Sequence, residues 1–312
     1  MSNYLGFDTS NYTTSVALYD SESNKIIHKK QLLPVKSGEK GLRQSDAVFH
    51  HTVQLPELVK ELFSEKNLKP DAVGVSYAPT TEKGSYMPCF LTGISAAQSV
   101  ASANSIPLYK FSHQQGHIAA VLFAGGREDL LNKNFIAFHL SGGTTQGLLV
   151  KPDRETVFDI SLVSDSLDLK AGQAVDRVGL MLGLDFPCGA KLDLLSQRSE
   201  KIYNIKPYIK DGCCSLSGVE NRCKKMLDDG EKAEDIARFC IMSIIAGVDK
   251  MAQSLIEKYG NLPIVFSGGV SSNSLLQKHF KEKYNAVFAS PEFSCDNAAG
   301  IAFLTYLKNN RD

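Results

Sequence analysis

Two stretches of this chain repeat one pattern 131 positions apart. The first is Leu5-Gly6-Phe7-Asp8-Thr9-Ser10-Asn11-Tyr12-Thr13-Thr14-Ser15-Val16-Ala17-Leu18. The second is Ile136-Ala137-Phe138-His139-Leu140-Ser141-Gly142-Gly143-Thr144-Thr145-Gln146-Gly147-Leu148-Leu149. Each reads as an apolar strand, a turn of Ser, Asn, Gly and Thr, and a second apolar strand. Such a turn presents backbone N–H groups and short hydroxyls at the end of a sheet, which suits a phosphate. Two of them fit a duplicated domain with a nucleotide between the halves. Two unrelated hairpins are the plainer alternative.

The order of elements around the repeats favours duplication. In the first half, strands at 4–7, 14–19 and 25–33 precede a polar, Gly- and Ser-rich loop from Gly38 to Asp46. A long helix follows to Leu62, capped by Ser45 or Asp46 and broken or kinked at Pro56. Then come a buried strand at 72–77, a helix at 92–103 dense in small residues, and a short strand at 107–110. The second half opens with a hairpin at 135–140 and 147–150 and adds a strand at 156–163. Helices follow near 171–182 and 190–197, then a loop from Cys213 to Arg222 and a long helix near 233–258. A strand at 263–266, a helix at 273–281, a strand at 286–289 and a helix at 297–308 complete it. This order, occurring twice, is that of the α/β class containing actin, Hsp70 and the sugar kinases. The expected division is 1–112 and 113–312, two duplicated α/β domains with nucleotide and metal in the cleft between them.

Composition narrows the classes. The chain has 312 residues, and Lys+Arg 34 balances Asp+Glu 34, so net charge gives no argument for nucleic acid. No apolar run reads as approaching the roughly 20 residues of a membrane span. The opening residues lead straight into a strand, which reads as no signal peptide. Seven cysteines, mostly in apolar surroundings, fit reduced thiols and a cytoplasmic protein. Cys213, Cys214 and Cys223 match no zinc spacing.

Three segments carry chemistry. His113-Gln114-Gln115-Gly116-His117 places two imidazoles at i and i+4 on one helical face, within reach of one metal ion. A surface or capping pair is the alternative. A zinc peptidase of this spacing needs an acid at the second position, and Gln114 is an amide that cannot act as a base. Ser141-Gly142-Gly143-Thr144-Thr145 and Ser267-Gly268-Gly269-Val270-Ser271-Ser272-Asn273 each follow a strand, with glycines where a ring or ribose can lie against backbone. Asp296 at the start of the last helix reads as an N-cap or as a third metal ligand.

These residues together resemble the tRNA threonylcarbamoyl transferases, the TsaD-like family once called O-sialoglycoprotein endopeptidases. Asp8-Thr9-Ser10 stands at the family's first turn, and Ser45 to Leu58, with His51, resembles its long N-terminal helix. His113-x-x-x-His117-Ile-Ala-Ala is similar to its metal segment, and Ser141-Gly-Gly143 to its central glycine loop. Ala171 to Val178 is similar to its Gly-Glu-Ala-Phe-Asp-Lys-Val helix, and Gly183 to Gly189 to its Pro-Gly-Gly turn. Ser215-Leu216-Ser217-Gly218, Gly268 to Asn273 and Asp296-Asn297 complete the set. The resemblance implies an actin-like ATPase fold and transfer of a threonylcarbamoyl group from threonylcarbamoyl-AMP to N6 of adenosine 37 of tRNA. It implies an iron or zinc ion on His113, His117 and Asp296, polarising the substrate as a Lewis acid. It implies an adenylate-type nucleotide (threonylcarbamoyl-AMP, AMP or ATP) bound by Ser141, Gly142, Gly143 and Thr144. It implies that Gly268, Gly269 and Asn273 bind it too, with Asp176 and Asp193 on the ribose and Gly189 against the nucleoside. The implied partners are tRNA and the proteins of the threonylcarbamoylation complex, with no membrane.

The chain also departs from the family pattern. The first turn lacks the family's acids and reads Asn11-Tyr12-Thr13; Thr144 replaces His, Gln173 replaces Glu, Arg177 replaces Lys and Glu220 replaces Lys. Two readings therefore stay open: an active transferase, and a paralogue that binds nucleotide and metal as a regulatory or scaffold subunit. A plain actin-like ATPase using Asp8 for Mg²⁺ leaves the His pair unexplained.

Overall fold

The computed structural model describes residues 2–10, 12–34, 42–64, 68–289, 293 and 298–311. Asn11 and Asp296, and with them Gly38 to Gly41, lie outside the described residues. The strands are β1 (Asn3–Asp8), β2 (Thr13–Asp20), β3 (Lys25–Leu32), β4 (Ala72–Ala78), β5 (Leu108–Ser112), β6 (Phe135–Leu140), β7 (Thr145–Asp153), β8 (Val157–Asp165), β9 (Tyr208–Lys210), β10 (Cys213–Ser215), β11 (Ile264–Ser267) and β12 (Val287–Phe288). The helices are α1 (Gln44–Ser64), α2 (Phe90–Asn104), α3 (His113–Ala124), α4 (Ala171–Met181), α5 (Gly189–Ser196), α6 (Ser217–Asp228), α7 (Ala233–Tyr259), α8 (Ser274–Tyr284) and α9 (Ala298–Asn309).

Two units form. The first comprises 1–131, 152–159 and 295–312, and the second 132–151 and 160–294. This differs from the boundary at 112/113 expected from sequence. Helix α3 packs with β4, β5 and α9, so it belongs to the first unit, and the last helix returns there to cover β1, β2 and β4.

The two sheets share one topology. In the first unit the order is β3-β2-β1-β4-β5, and in the second β12-β11-β6-β7-β8. The first hairpin of each, β1–β2 and β6–β7, is antiparallel, while β1–β4–β5 and β6–β11–β12 run parallel. The repeat seen in sequence is therefore a repeat of sheet topology.

In the first unit, alternation along a strand divides its residues between two faces. Leu5 and Phe7 of β1, with Val73 and Val75 of β4, bury against Leu55, Leu58 and Leu62 of α1 and Ala97 and Ala101 of α2. Gly6 and Gly74, on the opposite face, admit α9 at backbone distance. A Cβ on Gly6 would stand 2.5 Å from the Ala302 N, and one on Gly74 would collide with the Thr305 side chain. Helix α1 is unbroken through Pro56, which is exposed. The carbonyl left without a donor four residues earlier belongs to exposed Thr52, where water can take its place.

In the second unit, Ile136, Phe138 and Leu140 of β6 pack with Ile244, Val248, Met251 and Leu255 of α7. That helix has the length and composition of a membrane span, contrary to the reading that no segment approaches one, but its apolar side chains fill the core of this unit. The expected loop from Cys213 to Arg222 is strand β10, paired with β9, followed by helix α6. Its start is held from a distance. The Asp168 carboxylate accepts hydrogen bonds from the Leu216 N–H (2.8 Å), the Ser217 N–H (3.1 Å) and the Ser215 Oγ (2.6 Å). Burial alone would raise its pKa; these bonds outweigh that and hold it at about 2. A cap supplied from 48 residues away leaves no local signal in the sequence.

Candidate functional site

The first unit gathers its chemistry at the ends of β1 and β4. Register pairs Phe7 with Val75, which sets Asp8 beside Ser76. Asp8 is 2% exposed and accepts from the Ser76 Oγ and, at 2.9 Å, from the Ser10 Oγ. The His113 Nδ1 lies 3.2 and 3.3 Å from its two oxygens. Burial would raise this carboxyl, but the neighbouring His113 imidazole and the Ser76 and Ser10 hydroxyls hold it below the usual carboxylate range.

His113 opens α3. Ser112 caps the helix, its Oγ accepting from the Gln115 N–H (3.1 Å) while the Gln115 Oε1 accepts from the Ser112 N–H (2.7 Å). The Gln115 amide also donates to the carbonyls of Thr156 and Phe158, which fixes the helix start. One turn on, the His117 ring centroid lies 4.7 Å from that of His113. The crossing of α9 over α3 occurs at Gly116, where a Cβ on Gly300 would stand 2.7 Å from the Gly116 carbonyl carbon. The two imidazoles stand side by side on one helical face, a pair of nitrogen donors of the kind that divalent metals take. Among the described residues no three His, Cys, Asp or Glu side chains form a metal cluster. The third expected ligand, Asp296, is outside them.

The first turn is less open than its composition suggests. Thr9 is buried, donating to the Cys89 carbonyl (3.0 Å) and accepting from the Gly93 N–H (3.1 Å). Ser10 is committed to Asp8. Thr14 donates to the Gln54 Oε1 (2.7 Å), so the His51 Nδ1, 2.8 Å away, must carry the proton it shares with Thr14. The His51 Nε2 is buried and meets no hydrogen-bond partner among the described residues. Burial is the main reason its pKa falls to about 4.

A pH dependence follows from that shift. The unfolded chain binds a proton at His51 near pH 6.5 and the folded one only near 4. His51 therefore weakens folding progressively as pH falls through that window, with the full effect below 4. A plot of Tm against pH from 7 to 4 is expected to slope downward, and His51→Gln to flatten it. Parallel curves for the two proteins would remove His51 as the cause.

The second unit gathers the expected nucleotide residues at the carboxyl ends of the parallel neighbours β6 and β11, where ligands of open α/β sheets bind. Ser141 and Thr144 close their turn through the Ser141 N–H to Thr144 carbonyl bond (2.9 Å) and their hydroxyls (2.8 Å). A Cβ on Gly142 or Gly143 would meet nothing. Behind the turn, Gly172 of α4 sits so close that a Cβ there would stand 2.6 Å from the Gly142 Cα. Gly268 has φ +89°, and a Cβ there would lie 2.8 Å from the Leu140 carbonyl carbon, so it is a glycine by backbone demand. Gly269 begins the 3-10 turn that leads to Asn273.

Asp176 of α4 accepts from the Cys188 N–H (2.9 Å) beside Gly189, and burial pushes its carboxyl upward. Asp193 of α5 accepts from the Asn273 Nδ2 (2.9 Å), the Ser274 N–H (3.1 Å) and the Ser274 Oγ (2.8 Å). Asn273 itself caps α8 by accepting from the Leu276 N–H. The structure thus brings together Asp176 with Gly189, Asp193 with Asn273, and Ser141–Thr144 with Gly268.

Three of the departures from the family pattern have local partners. The Gln173 Oε1 accepts from the Lys170 N–H (3.1 Å) at the start of α4, a capping role an amide fills as well as an acid. Arg177 and Glu220 pair with each other at 2.8 Å, both substantially exposed. Cys214 and Cys223 are buried, and burial pushes the Cys214 thiol up to about 12. Asp8 as the partner of His113, and the His51–Thr14–Gln54 chain, were not foreseen; only sheet register and side-chain geometry show them.

Comparison with known proteins gives a family and a fold. The family described as "TsaD: tRNA N6-adenosine threonylcarbamoyltransferase" matches residues 24–303. The tRNA N6-adenosine threonylcarbamoyltransferase of Dictyoglomus turgidum is 30% identical, over 97% of this chain and 92% of its own length. That of Archaeoglobus fulgidus is 26% identical, over 96% of this chain and 89% of its own. Among solved structures, HypF of T. kodakarensis superposes with a TM-score of 0.63 at 13% identity, over 99% of this chain and 48% of its own. (R)-2-hydroxyglutaryl-CoA dehydratase component A of Acidaminococcus fermentans superposes with 0.57 at 15% identity, over 99% of both chains. The fold is that of the actin-like ATPases.

Proposed function

Since the chain belongs to the tRNA N6-adenosine threonylcarbamoyltransferase family, we propose that it modifies tRNA, transferring a threonylcarbamoyl group from threonylcarbamoyl-AMP to N6 of an adenosine. The observation that carries this reading is the His113–His117 pair, held 4.7 Å apart on one helical face with His113 anchored to a buried carboxylate. The exocyclic amine attacks the carbamoyl carbon, the new C–N bond forms, the nitrogen gives up one proton to solvent, and AMP leaves with the electrons of the broken acyl–phosphate bond.

His113, His117 and Asp296 would hold an iron or zinc ion. Bound there, the ion supplies Lewis-acid polarisation of the substrate. The protein's own contribution is orientation. The Ser141–Thr144 turn offers backbone without side chains at Gly142 and Gly143, where the adenylate can rest. Asp176, half-buried and bonded to the Cys188 N–H next to Gly189, accepts from a ribose hydroxyl; Asp193 and Asn273, already locked together, present a second rigid polar pair. Gly268 and Gly269 keep the backbone low beside the turn. Protein subunits of a threonylcarbamoylation complex would assist.

One observation favours the second reading, a binding subunit without transfer. Thr9, Ser10 and Thr14 direct their hydroxyls inward, so of the first turn's described side chains only Tyr12 is exposed. A direct assay separates the two. Purified protein, with partner subunits, is given tRNA and threonylcarbamoyl-AMP. Transfer is expected, with modified adenosine in the digested tRNA and stoichiometric AMP. Adenylate and metal binding with unmodified tRNA would establish the second reading instead.

A further inference from the structure

We propose that Asp8 is the positioning residue of the metal centre: it fixes His113 as its Nδ1–H tautomer, so that Nε2 is the atom given to the metal. The inference rests on the metal reading above. Its support is independent of any ion, because the geometry is built from the protein's own register. A neutral imidazole has one N–H, and which nitrogen carries it is set by the partner the ring finds. The His113 Nδ1 faces both carboxylate oxygens of Asp8, at 3.2 and 3.3 Å. A carboxylate accepts only, so the proton of neutral His113 belongs on Nδ1.

Asp8 is itself over-determined. Ser76 donates to one oxygen and Ser10 to the other, and the strand pairing of β1 with β4 places all three. The carboxylate therefore cannot turn away without breaking two further hydrogen bonds. Ordering a ligand in this way raises its basicity and spares the metal the cost of selecting a tautomer and rotamer. This also gives the first turn a function that its composition does not suggest. Its Ser10 hydroxyl buttresses a carboxylate rather than cradling a phosphate.

The test uses the full chain and does not need turnover. In apo protein labelled with ¹⁵N-histidine, the His113 Nδ1 is expected to be protonated and Nε2 bare; a proton on Nε2 overturns the proposal. Co(II) and Zn(II) affinities are then measured by chelator competition for the wild type, His113→Ala, His117→Ala, Asp8→Asn and Ser76→Ala. Asp8→Asn keeps shape and one acceptor but loses the charge and the second acceptor. It is expected to weaken metal binding about 10- to 100-fold, to alter the visible Co(II) spectrum, and to leave AMP affinity near wild type, while Tm falls with the loss of a buried carboxylate whose hydrogen bonds stabilise the fold. Ser76→Ala is expected to fall between the two. If the His variants lose metal and Asp8→Asn binds it within twofold of wild type, the proposal fails while the metal reading stands. If the His variants keep full affinity, the metal reading fails and takes the proposal with it.

Discussion

Gly300→Ala is expected to lower stability by about 2 kcal/mol or more, despite replacing a helical glycine with the best helix former. Alanine gains up to about 1 kcal/mol in propensity at such a site. Against this stands the crossing of α9 over α3. A Cβ on residue 300 would strike the Gly116 carbonyl and come within 2.9 Å of the Ala120 N. Both neighbours are backbone in a helix, so no rotamer change relieves the contact, and the helices must separate. Overpacking of this kind costs typically about 1–3 kcal/mol and sometimes more. For a domain of this size each kcal/mol moves Tm by roughly 2–4 °C, so a drop of about 4–8 °C is expected by calorimetry. Gly218→Ala is the control, because a Cβ there meets nothing. Equal Tm values for the two variants would mean the crossing is looser than the structure shows. Since Gly116 precedes His117, metal affinity is expected to fall in Gly300→Ala as well.

Gly143→Val is expected to do the reverse, leaving Tm within about 1 °C of wild type while weakening AMP binding about 100-fold, or about 2.7 kcal/mol. The side chain would enter open space at a backbone conformation that carries no positive φ. That space is where the adenylate is proposed to lie, so the valine excludes ligand without disturbing protein. Gly268→Ala makes the contrast within the same unit. Its φ of +89° and its contact with Leu140 predict a loss of stability first. Titration calorimetry with AMP, read beside Tm, sorts the two glycines. Unchanged AMP affinity in Gly143→Val would detach this turn from the nucleotide.

The sequence made the two hairpins legible because strand alternation and turn composition are local. The same is true of α3, where Ser112 and Gln115 form a capping box three residues apart. What stayed hidden depends on distant partners. Helix α6 was read as a loop because its cap, Asp168, comes from another segment. The membership of α3 and α9 in the first unit turns on Gly116 meeting Gly300, residues far apart in the chain that no periodicity links. The apolar length of α7 is a core property, decided by the strands beside it. Among the site residues, spacing alone showed His113 and His117 on one face. It could not show that Thr9 and Ser10 turn inward, or that Gln173 caps its own helix. Nor could it show that the departures at Gln173, Arg177 and Glu220 are a helix cap and a surface ion pair.

The return of α9 to the first unit has a consequence for how this protein is made. Strands β1 to β5 are synthesised early, yet one face of that sheet, at Gly6 and Gly74, is shaped to receive a helix from residues 298–309. Domains are generally expected to fold as they emerge, the N-terminal one first. Here the second unit, lying between segments of the first, can close on itself before the first has received its covering helix. Until residue 298 has been synthesised, the sheet face at Gly6 and Gly74 lacks the helix that covers it. A ribosome stalled before residue 298 would expose a chain whose later half is folded and whose earlier half is waiting.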